Sequence, residues 1–166
     1  MSKKFYIFLD IDGVMFDWNY ILSKPKKGGL IQDFNPESVK ALNKLMSDLT
    51  KDYRPELVIT STWRSDMFAV YKAFRENGVA MSRNIHITST RLGGDPRYRG
   101  KEILDYMGGS TKEKNFVIID DESFDFDKYF DKSSIIKTSM WQGSLNTTMV
   151  DNYLESIGVE PSEDTM

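Results

Sequence analysis

The chain has 166 residues, a formal net charge of −3, and hydrophobic residues at 40% against 28% charged, the size and make-up of one soluble globular domain. It has no cysteine and one histidine, His86, which excludes disulfide frameworks, thiol catalysis and clustered-His zinc sites. No run approaches the ~18 apolar residues of a membrane span, the apolar stretch before Asp10 is too short for a secretory core, and the negative charge argues against indiscriminate coating of nucleic acid. The expectation is a cytoplasmic protein with no membrane partner.

Lys4 to Asp10 (K-F-Y-I-F-L-D) is a near-continuous apolar run, which predicts a strand buried on both faces, as in a parallel sheet. Asn35-Pro36-Glu37 supplies an N-cap, a proline at the first helical position and an early acid. Behind it Val39, Leu42, Leu45, Met46 and Leu49 repeat at helical spacing. Glu56 to Thr60 reads as a second strand. Ser65 to Asn77 reads as a helix with Phe68, Tyr71 and Phe74 on its apolar side, stopped by Gly78. Asn84 to Thr88 is a third strand, with His86 mid-strand as a core residue. Lys101 to Met107 is a helix carrying Ile103, Leu104 and Met107 and closed by Gly108-Gly109. Asn115 to Asp120 is a fourth strand and Ser134 to Thr138 a weaker fifth. Leu145 to Ile157 is the last helix, capped by Asn146 or Thr147.

This alternation predicts an α/β fold: one Rossmann-like, doubly wound parallel sheet over residues 1–158, followed by a flexible tail at 159–166. Two connections are long, at 15–35 (with S-K-P-K-K-G-G) and 89–100 (with R-L-G-G-D-P-R-Y-R-G). Long loops in a compact domain are usually functional, and here they belong near the crevice at the carboxyl ends of the strands.

Polar residues cluster where the apolar runs end. The first ends in Asp10-Ile11-Asp12-Gly13, the second in Thr60-Ser61-Thr62-Trp63-Arg64, and the fourth in Asp120-Asp121-Glu122. Residues two apart on an extended segment point the same way, so Asp10 and Asp12 can face one point, and Gly13 lets the chain turn away. Acids converging at one sheet edge repel each other unless a hard cation and an ammonium compensate them. Oxygen-only ligands without His or Cys suit Mg²⁺. A hydroxyl and a lysine facing the same cavity are natural partners of phosphoryl oxygens. Arg64 can reach a substrate phosphate and Trp63 can stack on a base, or the two can be a packed indole and a paired arginine. Lys24, Lys26 and Lys27 can form a groove for an anionic substrate with Arg91, Arg97 and Arg99, or a solvated loop. Asp125, Asp127 and Asp131 read as a solvated loop face, with Asp125 a candidate anchor for the acidic loop.

D-I-D-G-V after the first strand, V-I-T-S-T after the second, Lys101 ahead of the fourth and I-I-D-D closing it resemble, in order and spacing, the four motifs of the haloacid dehalogenase (HAD) superfamily of phosphohydrolases. T-S-T-W-R and R-x-R-G-K-E-I resemble HAD domains associated with nucleic-acid repair. The resemblance implies a minimal or absent cap, because both insertions are loops. It implies that Asp10 is a nucleophile forming an aspartyl-phosphate and that Asp12 is the acid and base. Mg²⁺ would be held by Asp10, the Asp12 carbonyl, and Asp120 or Asp121. Thr60 or Ser61 would bind the phosphoryl group, and Lys101 would neutralise its charge. The function implied is phosphomonoester hydrolysis, on nucleic-acid ends such as 3′-phosphates of DNA or RNA. One alternative is a phosphatase for (deoxy)nucleoside monophosphates, with Phe16, Trp18 and Tyr20 stacking on the base. The other is a receiver-like phospho-acceptor, for which an acid should end the third strand, where this chain has Thr88.

Overall fold

The computed structural model describes residues 3–23, 33–80, 85–88 and 95–163. Five parallel strands form one sheet in the order β3-β2-β1-β4-β5: β1 (Lys3–Leu9), β2 (Tyr53–Ile59), β3 (Ile85–Ile87), β4 (Asn115–Asp120) and β5 (Ile135–Lys137). Among the described residues five helices accompany them: α1 (Trp18–Ser23), α2 (Pro36–Leu49), α3 (Met67–Glu76), α4 (Arg99–Tyr106) and α5 (Thr147–Ser156). The carboxyl-end halves of the central strands are apolar and buried because both sheet faces are covered there. Ile7, Leu9, Leu57, Ile59, Val117 and Ile119 share one core with the buried sides of α2, α3 and α5. The intervening Phe8, Val58 and Ile118 share the other with Ile103 and Met107 of the α4 segment and with Phe126 and Phe130. Successive strand residues thus go to opposite layers, the doubly wound arrangement. Among the described residues there is no cap domain.

The caps explain the helix starts. Asn35 accepts the Glu37 amide ahead of α2, Asp66 accepts the Ala69 amide ahead of α3, and Asn146 accepts the Met149 amide ahead of α5. Four details depart from expectation. The inward side of α3 is Val70, Ala73 and Phe74, while Phe68 is 76% exposed. His86 is exposed, because β3 is the sheet edge, and faces Glu56 at 3.6 Å. The 15–35 connection contains α1 in its described part. Beyond α5, Val159 is buried and the Ser162 amide donates to Asp48, so the stretch expected to fray has contacts with α2 as far as Ser162. Asn84, Lys24, Lys26, Lys27 and Arg91 lie outside the described residues.

Candidate active site

The sheet ends in a polar row. The amides of Thr88, Thr60, Asp10 and Thr138 donate respectively to the carbonyls of Ile59, Leu9, Ile119 and Asp120. Each of these residues therefore continues the parallel ladder one step beyond its strand's apolar run, and with Asp120 all five are buried. Strand order reverses between β1 and β4, so Asp10 and Asp120 flank the topological switch point, where open α/β sheets place their ligands.

Asp10, Asp120 and Asp121 converge, with one carboxylate oxygen of each within 4.8 Å of the others. Asp121 reaches the cluster because residue 13 is glycine: φ is +78° there, and a Cβ would sit 2.3 Å from Asp121 Oδ2. Among the described residues one guanidinium faces the cluster. The Arg99 guanidinium lies 3.1 Å from Asp120 Oδ2 and 3.5 Å from Asp10 Oδ1, over the Phe124 ring at 4.5 Å. Burial pushes the Asp10 carboxyl well above the usual carboxylate range, and the Asp120 charge adds to it, against the opposing pull of Arg99. Burial raises Asp120 as well, with Arg99 again opposing. Burial also raises Asp12, offset in part by a hydrogen bond from the Trp63 side chain. Three acids against one guanidinium leave negative charge that a divalent cation would neutralise, and an all-oxygen donor set suits a hard ion.

Four buried polar atoms have no partner among the described residues: the Thr60 and Thr88 hydroxyls at this edge, and Nε of Arg64 and of Arg99. Buried polar groups are nearly always satisfied, and a phosphoryl group bound at the cluster would give Thr60 and Arg99 an acceptor. The Ser61 hydroxyl differs: it accepts the Trp63 amide and caps the 3-10 turn Thr62–Ser65.

The other expected residues are placed as follows. Lys101 Nζ pairs with Asp105 at 3.0 Å, one turn along α4, and is about half exposed. Arg97 is exposed and forks onto Asp95. Arg64 is 3% exposed; it binds Glu102 through Nη2 at 3.0 and 3.2 Å and donates through Nη1 to the carbonyls of Thr60 and Ser61. Arg64 thus joins the hydroxyl loop to α4 beneath the site, the paired-arginine alternative of the sequence reading.

Two supports, Glu102 and Asp17, went unseen in the sequence, and a third, Asp125, was expected to anchor the acidic loop and instead holds α4. Asp125 accepts the amides of Gly100 (2.7 Å) and Lys101 (3.1 Å), which fixes the start of α4. Glu102 anchors Arg64. Asp17 accepts the Tyr20 amide and both the amide and hydroxyl of Ser144, tying the loop after β1 to the loop after β5. Burial opposes ionisation of Asp17, but these hydrogen bonds prevail and hold its carboxyl below the usual range. Only Asp17 had a local signal, an acid directly ahead of a helix; Asp125 is far in sequence from the amides it caps.

The family model of the HAD domain in Swiss Army Knife RNA repair proteins matches residues 6–147. The chain belongs to that family. The match takes in β1 from Tyr6, the other four strands entire and every residue of the acidic cluster, and it agrees with hydrolase chemistry at a metal-binding acidic site. Comparison with curated proteins and with solved structures finds no match. Among the described residues no helix is long and apolar enough to cross a membrane.

Proposed function

We propose that this HAD domain is a Mg²⁺-dependent phosphomonoester hydrolase that acts through an aspartyl-phosphate on nucleic-acid ends, 3′-phosphates among them. The observation that carries the reading is the Asp10–Asp120–Asp121 cluster, its first two members buried, with Arg99 against it and the unpartnered Thr60 hydroxyl on the neighbouring strand. Asp10, Asp120 or Asp121, and the Asp12 carbonyl would hold the ion, which when bound supplies charge neutralisation and Lewis-acid polarisation.

The chain's own residues account for the rest. An Asp10 carboxylate oxygen attacks phosphorus, forming the acyl-phosphate as the ester P–O bond breaks. Asp12 protonates the leaving oxygen. It then takes a proton from water, which attacks phosphorus, releases inorganic phosphate and restores the Asp10 carboxylate. The raised pKa of Asp12 favours the protonated form that the first step needs. Thr60 and Arg99 bind phosphoryl oxygens, and Lys101 and Arg97 add positive charge at the α4 start. Ser61 and Arg64 hold the hydroxyl loop in place.

The test is phosphate release with Mg²⁺ from p-nitrophenyl phosphate, mononucleotides, and 3′- and 5′-phosphorylated DNA and RNA oligonucleotides. The wild type is expected to turn over one oligonucleotide end fastest, and Asp10→Asn to lose at least about a thousandfold in rate. Turnover confined to mononucleotides moves the substrate to the nucleotide pool. No turnover on any member refutes the reading.

A further inference from the structure

The exposed apolar side chains are not spread evenly. Two of them, Trp18 at the start of α1 and Trp141 in the loop after β5, lie against each other with ring centroids 5.9 Å apart. Trp141 is 77% exposed. Its turn does not depend on the indole: the Ser139 hydroxyl accepts the amides of Trp141 and Gln142, and Ser139 and Gly143 close a bridge. A tryptophan can bury roughly 150–250 Å², so an indole held in water by a self-sufficient turn is presented for a partner.

The pair is fixed relative to the acidic cluster. The Trp18 amide donates to the Met140 carbonyl, the Leu145 amide to Val14, and the Thr138 hydroxyl to Gly13, while Asp17 clamps Ser144. An open cavity of about 490 Å³ is lined by Asp121 of the cluster, by Ser139, Gln142 and Gly143 of the turn that carries Trp141, and by Lys137, Thr138 and Met149. That is the size range of small-ligand sites. Lys137 supplies a cation on its wall, with Nζ 2.8 Å from the Asp121 carbonyl.

We propose that Trp18 and Trp141 form a stacking platform for unpaired bases of a single-stranded polynucleotide, with the adjoining cavity holding the nucleotide that connects the platform to the acidic cluster. The inference rests on the phosphatase reading for its direction. Its occupant follows from the chemistry: flat exposed indoles take any base face, and a cavity with one lysine and an acidic end suits a sugar-phosphate running toward a terminal phosphate. Stacking carries the affinity in this proposal, in keeping with a net charge of −3 that argues against indiscriminate coating of nucleic acid.

The experiment is fluorescence anisotropy of a labelled, hydroxyl-ended oligouridylate in EDTA, where neither a terminal phosphate nor turnover contributes. Wild type is expected to bind the single strand more tightly than the same strand in duplex. Trp141→Ala is expected to weaken binding about tenfold or more, and Trp141→Phe to restore most of it. Affinity that Trp141→Ala changes by less than about twofold overturns the platform, as does duplex binding equal to single-strand binding. So does a concentration-dependent dimer in sedimentation that Trp141→Ala dissolves, which would make the face a self-interface. Hydrolysis of p-nitrophenyl phosphate reads the chemistry separately: turnover without oligouridylate binding sinks the platform alone, and binding without turnover sinks only the phosphatase.

Discussion

Removing one side chain beneath the site tests how the hydroxyl loop is held. Glu102 and Arg64 form a fork of two hydrogen bonds with both side chains nearly inaccessible, at 3% and 1% exposure. Burial pushes Glu102 up and Arg64 down, with each opposing the shift of the other. In Glu102→Ala the Arg64 guanidinium stays buried without its counter-ion and faces the like charge of Arg99, which already disfavours it. Breaking a buried pair from one side costs about 3–5 kcal/mol. For a domain of this size each kcal/mol lowers Tm by roughly 2–4 °C, so the loss is about 6–20 °C.

Urea unfolding monitored by circular dichroism measures the change, with wild type and variant compared at equal m-value. Arg64→Met with Glu102→Leu replaces the pair by apolar side chains and is expected to recover a substantial part of the loss. It leaves the Thr60 and Ser61 carbonyls without their guanidinium donor, which costs about 1–3 kcal/mol. The double variant should therefore be more stable than Glu102→Ala and still poor in phosphate release. A Glu102→Ala protein within about 1 kcal/mol of wild type would refute the argument, since it would show the buried charge reaching water by relaxation.

Three further outcomes follow from the cluster. Asp10 and Asp120 hold protons more tightly folded than unfolded, so without metal the stability they contribute is fully present below the ordinary carboxylate pKa of about 4 and is lost as pH rises through their raised values; the thermal-shift gain from Mg²⁺ should then be larger at neutral pH than at mildly acidic pH, and an equal or larger gain in acid contradicts the electrostatics. Arg99→Ala should reduce phosphate release on the order of a hundredfold and by more than Lys101→Ala; steady-state kinetics giving the reverse ranking would move the role to Lys101. Gly13→Ala forces a left-handed backbone on alanine and drives its Cβ into Asp121, so it should cost about 1–3 kcal/mol and weaken Mg²⁺ binding in calorimetry; a silent substitution would show that Asp121 need not approach so closely.

The strands were legible because a parallel strand covered on both faces must be apolar almost without interruption, and β1 and β4 are. Which strand is an edge was not legible, and this decided His86: a three-residue β3 with one neighbour leaves it in water beside Glu56. The inward side of α3 was misjudged for a different reason. Phe68 is two residues from Val70, about 200° around the helix axis, so with Val70, Ala73 and Phe74 inward it points to solvent. Apolar residues at successive three-residue steps drift around a helix, and packing decides which direction faces the core.

The acids were legible because each follows an apolar run directly. The choice of cation was not, and helix geometry shows why. Arg99 and Lys101 are two residues apart on α4, about 200° around its axis, so one facing the cluster turns the other away. The roll of α4 then decides. Asp125 grips the amides of Gly100 and Lys101, and it lies so near that a Cβ at residue 100 would meet its carboxylate at 2.8 Å. Only glycine permits that approach, and with α4 held there Arg99 points at Asp10 and Asp120 while Lys101 reaches along the helix to Asp105. The residue that sets the cation of the site is thus Asp125, in the turn after β4, a long-range contact that no local pattern around R-G-K announces.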